Sequence, residues 1–274
     1  HSSDFVYLDI DKATDAVLKE YSLDCYERER VVQDIMFFTF FGGNDFVDAL
    51  PHTRTKDNGL DRLFVAYTMA LSSHGHLLTN DLVPNPAALQ AFLDVLSTSE
   101  DCVLRKIQVK QYASNSHGSP PKWKEDLCSQ VISEYEHLPY VDKHNPFHTY
   151  YKAHLCKIDY YLNHDEWSTQ YETAFFANVS HEKVCADYIH CIKWTLMYYT
   201  QYQCPAWQWH YPHRAAPLCS ALLKYIKTCG SFNKMWNQIT FQHDVPLSPL
   251  EQLIAVIPPQ HASLLPFAYG QIVS

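Results

Sequence analysis

The segment Ile35-Met36-Phe37-Phe38-Thr39-Phe40-Phe41 is apolar on every helical face and stops at Gly42-Gly43. A helix with no polar stripe has no side to show water, so this one must be surrounded by other elements. It belongs in a chain able to pack several helices round it. The 274 residues, 47% of them hydrophobic, supply that core. Glu27 to Phe41 reads as one helix, charged in its first half and buried at its end. Gly42-Gly43 reads as its stop, because glycine takes the left-handed conformation at a helix C-terminus without steric cost. Asn44 and Asp45 follow at once, which places a carboxylate at the end of a buried element.

Elsewhere the apolar spacing is mostly helical. A weak alternation over Phe5–Ile10 reads as a short strand, after which Asp11 caps a helix to about Tyr21. Leu60–Ser73 and Pro86–Ser97 are amphipathic helices. The second has Asn85 as cap and Pro86 at its first position, where proline's missing N–H costs nothing. From about Lys106 to Asn145 the periodicity fails, and Asn115-Ser116-His117-Gly118-Ser119-Pro120-Pro121 reads as a surface loop or insertion. Helical signal returns with Trp167–Phe176 and with His181 to about Thr200, where Val184, Tyr188, Ile192, Leu196 and Tyr199 share one stripe. Ala215–Cys229 is a further helix. Ser248-Pro249-Leu250-Glu251 is a capping box that opens a helix closed by Pro258-Pro259. With 7 Gly against 15 Pro, the fold class is mainly α, a multi-helix domain, organised as residues 1–105, 106–148 and 149–274.

The net charge of −9 and a pI near 5.9 exclude nucleic-acid binding by bulk electrostatics, since phosphate contacts need clustered Lys and Arg. Nine scattered cysteines, no signal peptide and no apolar run long enough to cross a bilayer imply a reducing, intracellular compartment without membrane contact. In that compartment Asn178-Val179-Ser180 is not a glycosylation site. Cys185 with His190 and Cys191, and His144 with His148, approach metal-ligand spacing but close no four-ligand set. No Walker-type loop and no Gly-x-Ser-x-Gly elbow is present, so neither nucleotide triphosphatase nor serine hydrolase chemistry has support. The chain begins at His1, so a segment upstream is expected.

Large rings are densest over residues 194–217, where a helix-like aromatic run breaks into a Pro-punctuated loop carrying Trp207, Trp209 and Tyr211. Such rings either bury area with a satisfied N–H or O–H, or offer flat faces to nucleobases. His210, His213, Arg214, Lys224 and Lys227 lie nearby, either as a solvated helix face or as a phosphate-facing edge. Asp45 is equally double: Asn44 and Asp45 suit a turn that bonds its own backbone, and a carboxylate fixed at a buried tip also suits a hard divalent cation.

Several separate points of the chain resemble the C-terminal half of the catalytic region of the XRN family, the eukaryotic 5′→3′ exoribonucleases. Phe41-Gly42-Gly43-Asn44-Asp45-Phe46 with Leu50-Pro51 is similar to the family's Val-Gly-Asn-Asp-Phe-Leu-Pro segment. Tyr188, Trp194, Tyr198 and Tyr199 match its Tyr-rich helix. Trp207-Gln208-Trp209, Tyr211-Pro212 and Ala216-Pro217 resemble its Trp-x-Trp-x-Tyr-Pro loop. Ser248 to Leu253, Ala255 to Pro259 and Leu265-Pro266 follow its Pro-Phe-Glu-Gln-Leu, Ala-Val-Leu-Pro-Pro pattern. The chain departs from the family at Val47-Asp48-Ala49, at Thr200-Gln201-Tyr202-Gln203 and at His213-Arg214-Ala215.

The resemblance implies the helical half of a larger, Mg²⁺-dependent nuclease that degrades 5′-monophosphorylated, single-stranded RNA. Asp45 would be one catalytic metal ligand. The other carboxylates and the 5′-phosphate pocket would lie in an N-terminal α/β domain absent from this chain, which would be inactive alone. Trp207, Trp209, Tyr211 and Arg214 would contact RNA, with one tryptophan stacking on it. The alternative is a catalytically inactive relative that acts as an RNA-binding or scaffolding module.

Overall fold

A computed structural model describes residues 7–115, 158–177, 179–201 and 203–266. They form α1 (Ile10–Glu20), α2 (Arg28–Thr39), α3 (Gly59–His74), α4 (Pro86–Asn115), α5 (His164–Phe176), α6 (His181–Gln201), α7 (Cys219–Thr228), α8 (Phe232–Gln238) and α9 (Pro249–Val256). Short 3₁₀ turns lie at Phe40–Gly42, Thr55–Asp57 and Pro259–Leu264. Among the described residues there is no strand, only an isolated antiparallel bridge between Leu78 and Pro84. The fold is mainly α. The described residues divide into two compact units, those up to Leu196 together with His210–Ile239, and those of Met197–Trp209 together with the ones from Thr240 onward.

In the first unit the apolar end of α2 is buried at Phe37, Phe38, Phe40 and Phe41, whereas Ile35, Met36 and Thr39 are half-buried, so the segment is not enclosed on every face as its sequence suggests. Phe38 packs at 5.0 Å from both Phe64 and Tyr67 of α3, and Phe41 at 5.6 Å from Phe92 of α4. Each such ring contributes roughly 2 kcal/mol by leaving water. A second cluster gathers Trp167, Tyr171, Phe175 and Phe176 of α5 with Leu104, Val184 and Leu218.

Buried polar groups tie the helices together at their ends. Asp34 of α2 accepts from the Tyr67 hydroxyl at 2.9 Å and the Leu78 N–H at 2.9 Å, and its other contact is His76 Nδ1 at 2.7 Å. Leu218, the residue before α7, offers no capping side chain. The α7 N–H groups of Cys219 and Ser220 instead donate to the Glu100 carboxylate of α4, at 2.7 and 3.1 Å. At the opposite pole of α8, the Lys193 ammonium donates to the carbonyls of Trp236 and Ile239 at 2.7 and 3.0 Å and lies 5.5 Å from the Trp236 ring. Both placements put the charge where the helix dipole favours it.

Several boundaries differ from the sequence reading. Ile10 is helical and residues 7–9 form no strand, since they have no neighbouring strand to pair with. The α1 cap is Asp9, whose carboxylate accepts the Lys12 N–H at 3.1 Å, and not Asp11. α7 begins at Cys219 and not Ala215, because Pro217 disfavours helical geometry at Ala216. α5 begins earlier than Trp167, at the Asn163 cap. α4 continues past Lys106 to Asn115. Two of its polar side chains are held from a distance: the half-buried Arg105 donates to Tyr160 O at 2.6 Å and the buried Gln108 to Ile158 O at 2.7 Å. The short α8 had no expected counterpart. The stripe on α6 is buried at Val184, Tyr188, Ile192 and Leu196, whereas Tyr199 near the helix end is 48% exposed.

In the second unit the capping box forms as read. Ser248 Oγ accepts the Glu251 N–H and Glu251 Oε2 accepts the Ser248 N–H at 2.7 Å. No helix among the described residues is long and apolar enough to cross a membrane. The loop Ser116–Pro121, Asn178, His144 and His148 lie outside the described residues.

Candidate functional site

Gly43 leaves the 3₁₀ turn with φ of +88°, and a Cβ there would lie 2.9 Å from both the Cβ and N of Ala49. Only glycine fits that approach. The next residue closes the turn: Asn44 N donates to Val47 O at 2.9 Å, and Asn44 Oδ1 accepts from Phe46 N and Val47 N at 2.8 and 2.9 Å. Asn44 is therefore the side chain that bonds the backbone. Asp45 stands exposed at the tip, and no hydrogen bond or ion pair engages its carboxylate among the described residues.

Helix α6 braces this turn from behind. The Tyr188 hydroxyl donates to Asp48 O at 2.9 Å, Cys191 Sγ to Phe46 O at 3.2 Å, and the Trp194 ring lies 5.1 Å from Phe46. Thr53 Oγ1 donates to Phe41 O at 2.5 Å and Thr53 N to Leu50 O at 3.0 Å, fixing the chain on both sides of the turn. Burial pushes the Tyr188 phenol well above its ordinary range, so it remains a donor at any working pH.

The second unit holds Trp207 and Trp209, which are unlike one another. Trp207 is 56% exposed. Trp209 is half-buried, with its ring edge-on to Phe241 at 5.6 Å. Asp244 accepts the N–H of Trp207 at 2.5 Å and of Gln208 at 2.8 Å, and those donors hold its carboxyl below the usual range. Tyr198, Gln203, Cys204 and His243 line a recess with Trp207 and Asp244.

Tyr211 and Arg214 fall in the first unit. Tyr211 is 2% exposed, its hydroxyl donates to Ala215 O at 2.9 Å, and its ring meets Tyr188 edge-on at 5.7 Å. It is a core side chain here, with no ring face left for stacking. Arg214 is half-buried. Among the other basic residues, His213 Nε2 contacts Asp187 Oδ2 at 2.8 Å and Lys227 pairs with Asp94 at 3.1 Å. Lys224 lines a cleft of about 410 Å³ with His164, Glu172 and His181.

Among the described residues no group of three or more His, Cys, Asp or Glu side chains comes together in a way that could hold a metal ion. Cys185 and Cys191 are buried, and burial raises the Cys185 thiol to about 12, the reverse of what a ligand thiolate needs. A hard divalent cation takes six or more oxygens. Asp45 alone does not make such a site, and its exposed carboxylate is at most one donor to a site completed elsewhere.

The family model described as the Xrn1 helical domain matches residues 25–142 and 151–274. The chain belongs to the Xrn1 helical domain family. It is similar to the "5'-3' exoribonuclease 2 homolog" of Drosophila melanogaster, 25% identical over 285 residues, covering 91% of this chain and 30% of that protein. It is also similar to the "5'-3' exoribonuclease 1" of Homo sapiens, 24% identical over 286 residues, covering 94% of this chain and 16% of that protein. A third relative, the "5'-3' exoribonuclease 1" of Saccharomyces cerevisiae, is 33% identical over 122 residues. The chain thus spans less than a third of the length of these relatives.

Within this Xrn1 helical domain Asp45 and the two tryptophans stand out in the sequence, whereas the groups that hold them do not. Tyr188 and Cys191 were visible as helix residues, and their i, i+3 spacing is a signal that both reach one target. Asp244 gave no local signal at all.

Proposed function

We propose that this chain is the helical part of a Mg²⁺-dependent 5′→3′ exoribonuclease acting on 5′-monophosphorylated, single-stranded RNA. Asp45 lends one carboxylate to the metal centre, whose other ligands come from beyond the described residues. The observation that carries the reading is the braced turn. Gly43 and Asn44 shape it, α6 holds its carbonyls, and Asp45 is left with a free carboxylate at a fixed position.

RNA contact in this reading falls to Trp207, whose ring is the more exposed, and not to the buried Tyr211. Base stacking tolerates any sequence because every base has a flat face, which suits an enzyme that degrades RNA processively. Trp209 supports the loop through Phe241. Arg214 remains a candidate phosphate contact through its guanidinium fork.

The test is turnover of 5′-monophosphorylated against 5′-hydroxyl RNA by the intact protein and its Asp45→Ala variant. Loss of turnover with retained RNA binding supports the reading. Unchanged turnover removes Asp45 from the chemistry, and no turnover in the parent favours the scaffolding role.

A further inference from the structure

We infer that Asp244 is the positioning residue that presents Trp207 as a stacking face for a purine or pyrimidine ring of single-stranded RNA. The inference rests on the RNA-binding reading above. A half-exposed indole gains little from burial, so packing alone does not hold it in one orientation. Its backbone must be fixed by other means. Here the two carboxylate oxygens of Asp244 accept two consecutive peptide N–H groups, those of Trp207 and Gln208. Two charge-assisted bonds to adjacent peptides set the plane from which the indole projects.

The surroundings fit a flat ligand. Tyr198 and His243 line the same recess as Trp207, so a ring placed against the indole has aromatic neighbours on the recess wall. A bare carboxylate beside an RNA path would repel phosphates. This one turns its two oxygens to peptide N–H groups, whose dipoles offset part of its charge and leave the indole between the carboxylate and an incoming ring. The neutral isostere is the sharp probe: in Asp244→Asn the amide NH₂ faces one of the two peptide N–H groups, so one bond becomes a donor–donor clash.

The experiment uses the intact protein with W207A, D244N, D244A and the W207A/D244N double variant. The probe is a 5′-monophosphorylated single-stranded RNA carrying 2-aminopurine, whose fluorescence is quenched on stacking. Removing a stacked base contact is expected to weaken binding by about tenfold. W207A and D244N should each show most of that loss together with diminished quenching, and the double variant should bind no more weakly than W207A alone. D244N with wild-type affinity and quenching, beside an impaired W207A, overturns the positioning role and leaves the stacking reading intact. Fully additive losses overturn it as well. Wild-type behaviour of W207A removes the stacking reading itself. Should D244A fail to fold, D244N decides.

Discussion

His52 Nδ1 lies 3.5 Å from Glu100 Oε1, with both side chains fully buried. His52 Nε2 is 3.1 Å from the Leu96 carbonyl, which can only accept, so the imidazole proton sits on Nε2 and Nδ1 presents a lone pair. Glu100 meanwhile caps α7 through Cys219 and Ser220. Burial raises its carboxyl, and the two backbone donors hold that rise back. Glu100→Ala strips both cap bonds and leaves buried N–H groups unpaired, an expected loss of roughly 2–4 kcal/mol in a denaturant titration. Glu100→Gln has one acceptor oxygen for two cap donors and should fall between the parent and the alanine variant. An alanine variant as stable as the parent would show that water replaces the cap.

His52 also fixes the direction of acid sensitivity. Burial, followed by the charge of Arg62, drives its pKa down from 6.5 to about 3. Between those values the unfolded chain binds a proton that the folded protein does not, so stability is full above pH 6.5 and falls as pH drops towards 3. Glu100 acts in the opposite sense, because a raised carboxyl lets the folded state keep its proton to higher pH. The checking measurement is unfolding free energy against pH for the parent and His52→Gln. The variant should lose the histidine part of the decline, on the order of a few kcal/mol across the window. Parallel profiles would exclude His52 as the source.

Features encoded within a few residues were legible in advance. The end of α2 is apolar all round and Gly42-Gly43 stops it. Ser248 and Glu251 close a box across three residues. Asp45 stood out because it follows both glycines. What escaped notice was encoded by pairs far apart. Glu100 caps Cys219 across 119 residues, and Asp244 binds the Trp207 N–H across 37. Neither carboxylate differs locally from a solvated acid. The split between Trp207 and Trp209 is likewise a matter of which ring meets Phe241, and Tyr211 is core because Tyr188 and Ala215 receive it.

Gly59 opens α3 against a backbone that no side chain can approach. A Cβ there would lie 1.8 Å from Thr53 O and 2.6 Å from Arg54 O. Thr53 O cannot retreat easily, since the same residue's hydroxyl is bonded to Phe41 O and its N–H to Leu50 O. Gly59→Ala, helix-favouring elsewhere, should therefore destabilise by about 3 kcal/mol or more. A melting temperature at or above the parent's would contradict this. The contrast is Gly75, where φ is +79° but nothing lies within 4 Å of the added Cβ. Gly75→Ala should cost about 1–3 kcal/mol, all of it backbone strain, because φ +79° with ψ −164° is a region nearly confined to glycine.

The bracing of the Asp45 turn by α6 gives the remaining prediction. Tyr188→Phe removes the donor to Asp48 O while keeping the ring in the core, and Cys191→Ala removes the donor to Phe46 O. Each should cost about 1 kcal/mol of stability, far less than unfolding the domain. Their effect on the turn should be larger than on the fold. Amide exchange over residues 43–49 should quicken in both variants, with core amides of α3 unchanged. If Asp45 contributes to catalysis, turnover should fall in the same order as exchange rises, and Cys191→Ser, which restores a hydroxyl donor, should recover both. Faster exchange without any change in turnover would separate the rigidity of this turn from the chemistry. Unchanged exchange in both variants would mean that Gly43 and Asn44 hold the turn without help from α6.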